Sequence, residues 1–367
     1  MSLPAVFIRH IATAVPPLRL KQAEIAEQQI ELWQLKDDEA RRLRHLFSRT
    51  GIQTRHSAFE QWAPDYEINA LRQWLNTSIN DKMQDYRLKA RALASEAAVR
   101  TITLGNIDRD TIGAIVTVSC TGLYAPGLEF DLIEDLGLLR TVKRFPVNFV
   151  GCYAMFTALD LARNIAIGLA TTTLPHVLVV GVELCSLHYS ADYSADAALA
   201  HALFADGAAA CLVSAASHQD PDALEMGDLT SVFVPSERDM AWHLGPNNFQ
   251  MQLSAYVPSL LAPALTQVLP SPAAAHLYDY AIHPGGRRIL EEVMTATGVK
   301  EDTLFASYQT MQQFGNMSSV TILFVLEALL RDYPQDQKPN NQIVAAGFGP
   351  GLTLMKLALS RNEMGRQ

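Results

Sequence analysis

The sequence lacks the residue patterns that are typical of metal sites and redox centres. Its four cysteines form no closely spaced pair, and its ten histidines form no pair separated by one or by three residues. We therefore expect no metal site. Cysteines without close partners are also typical of proteins from the reducing cytoplasm, where this protein is expected to reside.

The chain also has few positive charges and no long hydrophobic run. It carries 29 basic residues against 38 acidic ones, a formal net charge of −9, which argues against nonspecific binding to nucleic acid. The apolar run that starts at Val177 is soon ended by Glu183, well short of the ~18 residues of a membrane span. Residues 1–10 lack the charged start and the long apolar stretch of a signal peptide, and we predict that they form a buried first strand.

What the chain does have is a large apolar fraction, 49% of 367 residues, and an internal repeat. Each copy consists of a dipeptide that begins with glycine, then an apolar helix, then a short apolar strand. The first copy has Gly151-Cys152 and strand 177–181, and the second has Gly315-Asn316, helix 320–329 and strand 343–347. Elements that are apolar on nearly all sides are typical of layers buried on both faces. We predict an α/β fold of two duplicated halves, residues 1–217 and 218–367, with both helices between two sheets. Chance recurrence of the unit is the alternative.

Three residues beside glycines are candidates for chemistry. Cys152 precedes an apolar helix, whose N-terminal end favours a thiolate, whereas burial opposes it. A nearby imidazolium would decide that contest, and His283 is the best candidate because the rigid Pro284-Gly285-Gly286 turn follows it. Asn316 opens the second apolar helix. It is either a plain N-cap or an amide donor that forms an oxyanion hole with His283.

Five motifs stand in a characteristic order along the chain. They are Gly151-Cys152 and residues 202–210, 282–286, 315–319 and 347–353. Together they resemble the motifs of the type III polyketide synthases, the chalcone-synthase-like family, and the resemblance extends from about Arg41 to Leu359. It implies a thiolase-like αβαβα layered fold from two duplicated halves, and a homodimer.

The resemblance also implies an iterative condensation. The nucleophile falls on Cys152, the imidazole partner on His283 and the amide donor on Asn316. In this family an acyl-CoA starter loads the cysteine, malonyl-CoA loses CO₂, and the resulting carbanion extends the acyl chain. Coenzyme A thioesters are then substrates and no cofactor is expected, consistent with the lack of a glycine-rich dinucleotide loop in the sequence.

Further positions around the substrate follow from the resemblance. Phe204 matches the aromatic gatekeeper between the coenzyme A tunnel and the cavity, and Pro350 lies in the loop that scaffolds the cavity. Trp242 stands where chalcone synthases have glycine, and its bulk predicts a shorter ketide or a redirected acyl tail. The implied substrate-binding residues are Phe204, Trp242, Met251, Cys120, Thr121, Cys185, His188, Ser318 and Pro350.

A basic segment, residues 41–55, holds five arginines and no acidic residue. Helical spacing places Leu43, Leu46 and Phe47 on a core-facing side and Arg42, His45 and Arg49 along another. A solvated charged face would explain this pattern, whereas the resemblance implies binding of the coenzyme A phosphates. The implied coenzyme A-binding residues are Arg42, His45, Arg49, Gly285 and Arg288.

The segment from Glu183 to His188 is similar to bacterial family members that use fatty acyl-CoA starters. The expected product is therefore an alkylpyrone or an alkylresorcinol. Two alternatives remain at this stage: a condensing enzyme like ketoacyl-carrier-protein synthase III, which would take malonyl-carrier protein, and a non-catalytic partner subunit with the same fold.

Overall fold

The continuous hydrophobic runs of the sequence form buried strands, among them residues 177–181 and 343–347. The structure is a computed structural model that describes residues 4–215, 220, 222–236, 239–254, 256–334 and 339–362. Within these ranges the strands are β1 (Phe7–Ala14), β2 (Leu18–Lys21), β3 (Thr54–Ser57), β4 (Ile112–Ser119), β5 (Lys143–Asn148), β6 (His176–Leu184), β7 (Asp206–Ser214), β8 (Leu224–Phe233), β9 (Met240–Leu244), β10 (Phe249–Leu253), β11 (Tyr278–Ile282), β12 (Gln342–Gly349) and β13 (Thr353–Arg361). The α-helices are α1 (Gln22–Trp33), α2 (Asp37–Arg49), α3 (Ile68–Leu75), α4 (Ile79–Leu104), α5 (Leu128–Leu136), α6 (Ala154–Leu169), α7 (Ala195–Leu203), α8 (Val257–Val268), α9 (Arg287–Thr297), α10 (Phe305–Phe314) and α11 (Thr321–Arg331).

Strands from both halves form one mixed sheet in the order β11-β12-β13-β8-β1-β7-β6-β4-β5. The pairs β4–β5, β4–β6 and β11–β12 are parallel. The halves meet at β1, which pairs with β7 along most of its length and with β8 only at Phe7 and Ile8. The two sheets predicted from the sequence are therefore two wings of one continuous sheet, because β1 offers a hydrogen-bonding edge on each side.

The two central helices lie between these wings. α6 packs against β4, β6 and β7 of one wing and against β13 of the other, whereas α11 packs against β1, β7 and β11. Side chains of both helices, Met155 and Leu323 among them, share one apolar core with the inner faces of the strands. The burial predicted from their apolar sequences is confirmed.

The described residues bear on three further predictions. The first strand was expected within residues 1–10 but spans Phe7–Ala14, because its partner strands begin to pair at Phe7. The predicted boundary between residues 217 and 218 lies outside the described residues. Among the helices that the structure describes, none has the length and apolar character needed to cross a bilayer.

Candidate active site

Cys152 lies in a tight loop between β5 and α6. The chain turns at Gly151, whose φ of +104° is a conformation that residues with side chains rarely adopt. A Cβ atom there would lie 2.2 Å from Cδ of Pro350, so glycine is what lets these two loops approach. Cys152 is 1% exposed, and α6 begins two residues later at Ala154. The thiol therefore belongs to the N-terminal end of an apolar helix, as the sequence predicts.

His283 directly follows β11. Its backbone N–H donates to the carbonyl oxygen of Ala346 in β12 at 2.8 Å, which continues the parallel pairing by one residue. The imidazole is fully buried and packs edge-to-face against Phe348, with ring centroids 5.4 Å apart. Neither ring nitrogen has a hydrogen-bond partner among the described residues. Both nitrogens are therefore available to a bound substrate or to a neighbouring thiol.

Asn316 is anchored by its main chain to the segment around Phe204. Its N–H donates to the carbonyl oxygen of Leu203 at 2.9 Å, and its carbonyl oxygen accepts from the N–H of Ala205 at 2.9 Å. Its side-chain Nδ2 group donates to the carbonyl oxygen of Gly285 at 3.5 Å. This last bond places the amide beside the turn that follows His283.

The interpretation of Asn316 as the N-cap of the second central helix is wrong. That helix, α11, begins at Thr321, after a 3₁₀ turn that spans Ser318–Val320. The Asn316 side-chain oxygen instead accepts from the N–H of Ser318 at 2.8 Å. This bond engages the side-chain oxygen of Asn316 within the turn. The Nδ2 group then remains as a donor on the side that faces Gly285.

The fold brings Cys152, His283 and Asn316 into the wall of one cavity of about 300 Å³. Most of the wall is apolar. Three exposed arginines also line it: Arg49, Arg287 and Arg288. The cavity therefore combines a mostly apolar interior with exposed arginines at its opening, of which Arg287 is paired with Glu291 at 3.1 Å. In the part of the chain that the structure describes, no cluster of His, Cys, Asp and Glu side chains is arranged to hold a metal ion.

Burial shifts the pKa values of Cys152 and His283, the two candidate proton-transfer groups, in opposite directions. It raises the pKa of the Cys152 thiol to about 12, because the thiolate would lose its hydration, and the hydroxyl of Ser318 at 3.5 Å offsets this only in part. Burial lowers the pKa of His283 to about 3 for the same reason. At neutral pH both groups are therefore uncharged, and a thiolate can form only if another group takes the proton.

A buried carboxyl group, Glu183, lies beneath the nucleophile and was not identified as a functional residue from the sequence. It accepts from the N–H of Cys120 at 3.0 Å, from the hydroxyl of Thr121 at 2.8 Å and from the hydroxyl of Ser319. Burial nevertheless raises its pKa, and its charge opposes ionisation of Cys152. The signal in the sequence was one acidic residue that directly follows the apolar run 177–182.

Cys120 and Thr121 contact Glu183 behind the nucleophile and do not line the cavity that contains Cys152. The Cys120 sulfur accepts from the N–H of Gly151 at 3.0 Å. The Thr121 hydroxyl donates to Glu183 and accepts from the N–H of Leu184 at 2.9 Å. Both side chains thus support the Cys152 loop from below, as Pro350 does from the other side.

Phe204 lies in the wall of the first cavity and of a second cavity of about 440 Å³. The predicted substrate-binding residues Cys185, His188, Trp242 and Met251 line this second cavity. The Trp242 ring lies near Phe204, with centroids 6.5 Å apart. The β9–β10 hairpin supplies residues to both walls, so its position affects the shape of both cavities.

His188 is fully bonded and therefore belongs to the wall rather than to acid–base chemistry. Its Nε2 lies 2.7 Å from the carbonyl oxygen of Thr121, and its Nδ1 lies 3.1 Å from the N–H of Phe249. A carbonyl can only accept and an amide N–H can only donate, so the neutral tautomer with hydrogen on Nε2 is determined. Burial lowers the pKa of His188 to about 3, and its ring stacks on Phe249.

Residues 41–49 of the basic segment belong to α2, whereas Arg55 lies in β3. The predicted core-facing side of the helix is confirmed, because Leu43 and Phe47 are buried and Leu46 is half-buried. Arg42, His45 and Arg49 are all exposed. Of the three, Arg49 lines the cavity that contains Cys152, and the other two lie one and two turns further back on the helix. Gly285 and Arg288 line the same cavity from the opposite side.

The chain matches two family models over most of its length. Residues 4–217 match the model for the N-terminal domain of chalcone and stilbene synthases, and residues 232–361 match the model for their C-terminal domain. "Alpha-pyrone synthesis polyketide synthase-like Pks18" of Mycobacterium tuberculosis is 29% identical over 359 residues, which cover 95% of this chain and 89% of that relative. "Probable polyketide synthase 1" of Dictyostelium discoideum is 27% identical over 94% of this chain, a region that makes up 11% of that relative.

Solved structures with the same fold cover nearly the whole chain. The C-terminal type III polyketide synthase domain of Steely1 from Dictyostelium has a TM-score of 0.87 at 24% identity, covering 97% of this chain and 99% of that chain. PKS-I from the brown alga Ectocarpus siliculosus has a TM-score of 0.88 at 24% identity, covering 98% and 99%. The predicted thiolase-like αβαβα fold is confirmed.

Proposed function

The chain belongs to the chalcone and stilbene synthase family and is a type III polyketide synthase; from that premise we propose that it extends an acyl-CoA starter with malonyl-CoA on Cys152. One observation carries this proposal: Cys152, His283 and Asn316, distant in sequence, line a single apolar cavity whose mouth carries exposed arginines. The family match also favours this function over a carrier-protein-dependent condensing enzyme or a non-catalytic subunit.

In the loading step His283 takes the proton of the Cys152 thiol. The thiolate attacks the thioester carbonyl, the bond from that carbonyl to the coenzyme A sulfur breaks, and the imidazolium returns the proton to the departing thiolate. The separate pKa values of about 12 and about 3 support a neutral resting pair. The ion pair is then a minor species of the resting enzyme, in which the two opposite charges stabilise each other within the apolar cavity.

In the extension step malonyl-CoA loses CO₂, and the electron pair of the broken carbon–carbon bond forms an enolate. The Asn316 Nδ2 group and an N–H of neutral His283 would donate hydrogen bonds to the enolate oxygen. The lowered pKa of His283 supports this role, since a neutral imidazole is still a donor. The carbanion attacks the acyl group on Cys152, and the extended ketide returns to the freed thiolate. These steps need no metal and no cofactor besides the coenzyme A thioesters.

Variants of the three residues test this division of roles. Cys152→Ala should abolish condensation. Asn316→Ala should slow malonyl-CoA decarboxylation by ~10²–10³ while Cys152 remains open to alkylation, and His283→Ala should impair both. Release of labelled CO₂ and iodoacetamide labelling would be measured in parallel. Elongation by Cys152→Ala, or equal loss of thiol reactivity in the other two variants, would contradict the mechanism.

For the product we propose an alkylpyrone or alkylresorcinol type of polyketide. The mycobacterial relative is named for alpha-pyrone synthesis, which supports a pyrone product. The second cavity beyond Phe204 supports a starter with a long acyl tail. Trp242 and Met251 in its wall would limit the length of the ketide and of its acyl tail.

Mass spectrometry of products from malonyl-CoA with short, long and aromatic starters tests the product class. Aliphatic starters should be preferred, and Trp242→Ala should shift the products to longer chains. Trp242 is only partly buried, so this change should lower the melting temperature less than a core truncation would. A large loss of stability with an unchanged product profile would remove Trp242 from the cavity wall. Replacing malonyl-CoA by malonyl-carrier protein tests the alternative donor.

We further propose a homodimer located in the cytoplasm. Exposed apolar side chains lie on and near α4 and α5, Leu88 at 71% and Phe130 at 44% exposure, and a partner subunit would cover them. All four cysteines are free thiols, which fits a reducing compartment. Light scattering on the purified protein would test the dimer, and Phe130→Glu should shift it towards the monomer.

A further inference from the structure

A fully buried arginine, Arg55, lies behind the active-site cavity. It belongs to β3 and is 1% exposed. Its Nη1 group donates to the carbonyl oxygen of Phe204 at 2.5 Å and to the hydroxyl of Tyr189 at 2.7 Å. The Tyr189 hydroxyl in turn donates to the same Phe204 carbonyl at 2.6 Å. The main chain at Phe204 is thus held by two donors from one side.

The same side chain also supports the loop that carries Asn316. A Cβ atom on Gly315 would lie 2.9 Å from both Cγ and Cδ of Arg55, so the aliphatic stem of Arg55 packs directly against this glycine. Gly315 has a φ of +72°, a conformation that glycine adopts without cost. Arg55 therefore contacts the active-site loop with its stem and the Phe204 segment with its guanidinium group.

These two segments are already bonded to each other. The Asn316 N–H donates to Leu203, and the Asn316 carbonyl accepts from Ala205. A shift of the Phe204 main chain would therefore move Asn316 as well. The Phe204 side chain meanwhile separates the two cavities, so the same shift would alter how they are divided.

The hydrogen bonds of Arg55 go to a main-chain carbonyl and a phenol rather than to a carboxylate. Its Nε and Nη2 groups have no hydrogen-bond partner among the described residues, and the charge of Asp206 acts on it only through space. A guanidinium remains charged in proteins, and burying it is costly. What that side chain contributes in this environment is one direct bond to the Phe204 carbonyl and a second bond to the Tyr189 hydroxyl, which itself donates to the same carbonyl.

We propose that Arg55 is a positioning residue for the condensation reaction. It holds the Phe204 segment so that the Asn316 amide stays aligned with the enolate oxygen and the Phe204 ring stays between the two cavities. This inference rests on the proposed roles of Asn316 and Phe204. It has two separable consequences: Arg55 affects malonyl decarboxylation through Asn316, and it affects product length through Phe204.

The test compares Arg55→Met with Arg361→Met, a matched control. Arg361 is also buried, at 6% exposure, but it pairs with Asp279 at the far end of β11 from His283. For each variant we would measure the melting temperature, CO₂ release from malonyl-CoA, iodoacetamide labelling of Cys152 and the distribution of product lengths. Tyr189→Phe, which removes one donor to Phe204, and Arg55→Lys, which keeps the charge, complete the series.

We expect Arg55→Met to lower decarboxylation by about tenfold to a hundredfold, as for a misplaced catalytic group, with Cys152 labelling within about twofold of wild type and a broader product distribution. Tyr189→Phe should show the same pattern at roughly 2- to 10-fold, and Arg55→Lys should fall between Arg55→Met and wild type. Arg361→Met should lower only the melting temperature.

The proposal is overturned if Arg55→Met keeps the wild-type ratio of decarboxylation to labelling and the wild-type products, or if Arg361→Met changes them equally. Should Arg55→Met fail to fold, unchanged ratios and products in both Tyr189→Phe and Arg55→Lys overturn it. Asn316→Ala is run in the same assay. If that variant decarboxylates normally, the proposed function of Asn316 fails, and the product distribution alone then decides the role of Arg55.

Discussion

At the scale of single residues, burial keeps both members of the proton-transfer pair uncharged. The pKa of Cys152 is raised to about 12 and that of His283 is lowered to about 3. If the thiol passes its proton to the imidazole, the pair as a whole binds the same number of protons before and after. The fraction present as an ion pair is then independent of pH between the two values.

This gives a test of the pair that needs no substrate. If the ion pair supplies the reacting thiolate, as proposed, the rate at which iodoacetamide alkylates Cys152 is nearly constant between about pH 5 and about pH 9 in the wild-type protein. In His283→Ala it should rise by about tenfold per pH unit, because ionisation of a thiol with a pKa of about 12 then depends on bulk pH. Peptide-resolved mass spectrometry would follow the labelling.

Cys211 serves as an internal control in the same digests. It is a core thiol with 0% exposure, and burial raises its pKa to about 12 as well, so its labelling reports unfolding. Parallel pH profiles for Cys152 in the wild type and in His283→Ala would show that His283 does not take the proton.

At the scale of elements, α2 is an amphipathic helix. Its apolar side packs into the core, and its basic side extends from the cavity that contains Cys152 towards the start of the helix. Leu43 and Phe47 are buried, whereas Arg42 and Arg49 are exposed two turns apart. Of these two arginines, Arg49 lines the cavity that contains Cys152. The arrangement indicates that the two cations are not equivalent for a bound coenzyme A.

We therefore expect Arg49→Ala to raise KM for coenzyme A thioesters by roughly 3- to 10-fold, as for the loss of an exposed charge–phosphate contact. Arg42→Ala should have a smaller effect. Both effects should weaken at high ionic strength. N-acetylcysteamine thioesters, which lack the phosphates, should be affected little. A similar penalty for both kinds of substrate would indicate a folding defect instead.

At the scale of the whole molecule, buried histidines make the stability depend on pH. Burial lowers the pKa of His188 and of His283 to about 3, and it lowers that of His201 as well. In the unfolded chain a histidine titrates near 6.5. The unfolded state therefore binds the proton more tightly than the folded state does. Below about pH 6.5 each of these histidines costs about 1.4 kcal/mol of stability per pH unit as the pH falls.

Two buried carboxyl groups, those of Asp206 and Glu183, have the opposite effect on stability as the pH falls. Burial raises the pKa of Asp206 to about 6 and also raises that of Glu183. The folded state therefore takes up these protons before the unfolded state does, and this adds stability on acidification. For Asp206 the gain comes as the pH falls from about 6 towards the unfolded value near 4. Burial also lowers the pKa of His10 and of His56, and five histidines against two carboxyl groups leave a net loss of stability on acidification.

We expect the free energy of unfolding, measured with urea, to be lower at pH 5 than at pH 7.5. His201→Gln should reduce this difference by about 2 kcal/mol. The amide can replace both bonds of the imidazole, one with the N–H of Ser190 and one with the Gln29 side chain, without titrating. His276→Gln, at an exposed position, is the control and should leave the difference unchanged. An equal pH dependence in wild type and His201→Gln would contradict this account.

Much of this protein could be predicted from its sequence because the relevant signals are local. The two central helices are apolar on nearly all sides and the buried strands are continuous apolar runs, so periodicity alone indicates layers covered on both faces. The glycine before Cys152 predicts a turn that other residues rarely make, and its contact with Pro350 is a second reason for glycine at this position. Five motifs in one order then indicate the family.

Only the tertiary structure decided which buried polar groups act together. Glu183 is bonded to residues more than 60 positions away, and Arg55 to residues more than 130 positions away. The joining of two predicted sheets at β1 likewise depends on a distant partner strand. No local pattern encodes such pairings, because burial removes water as a partner and the replacement donor or acceptor is whichever group the fold brings within about 3 Å.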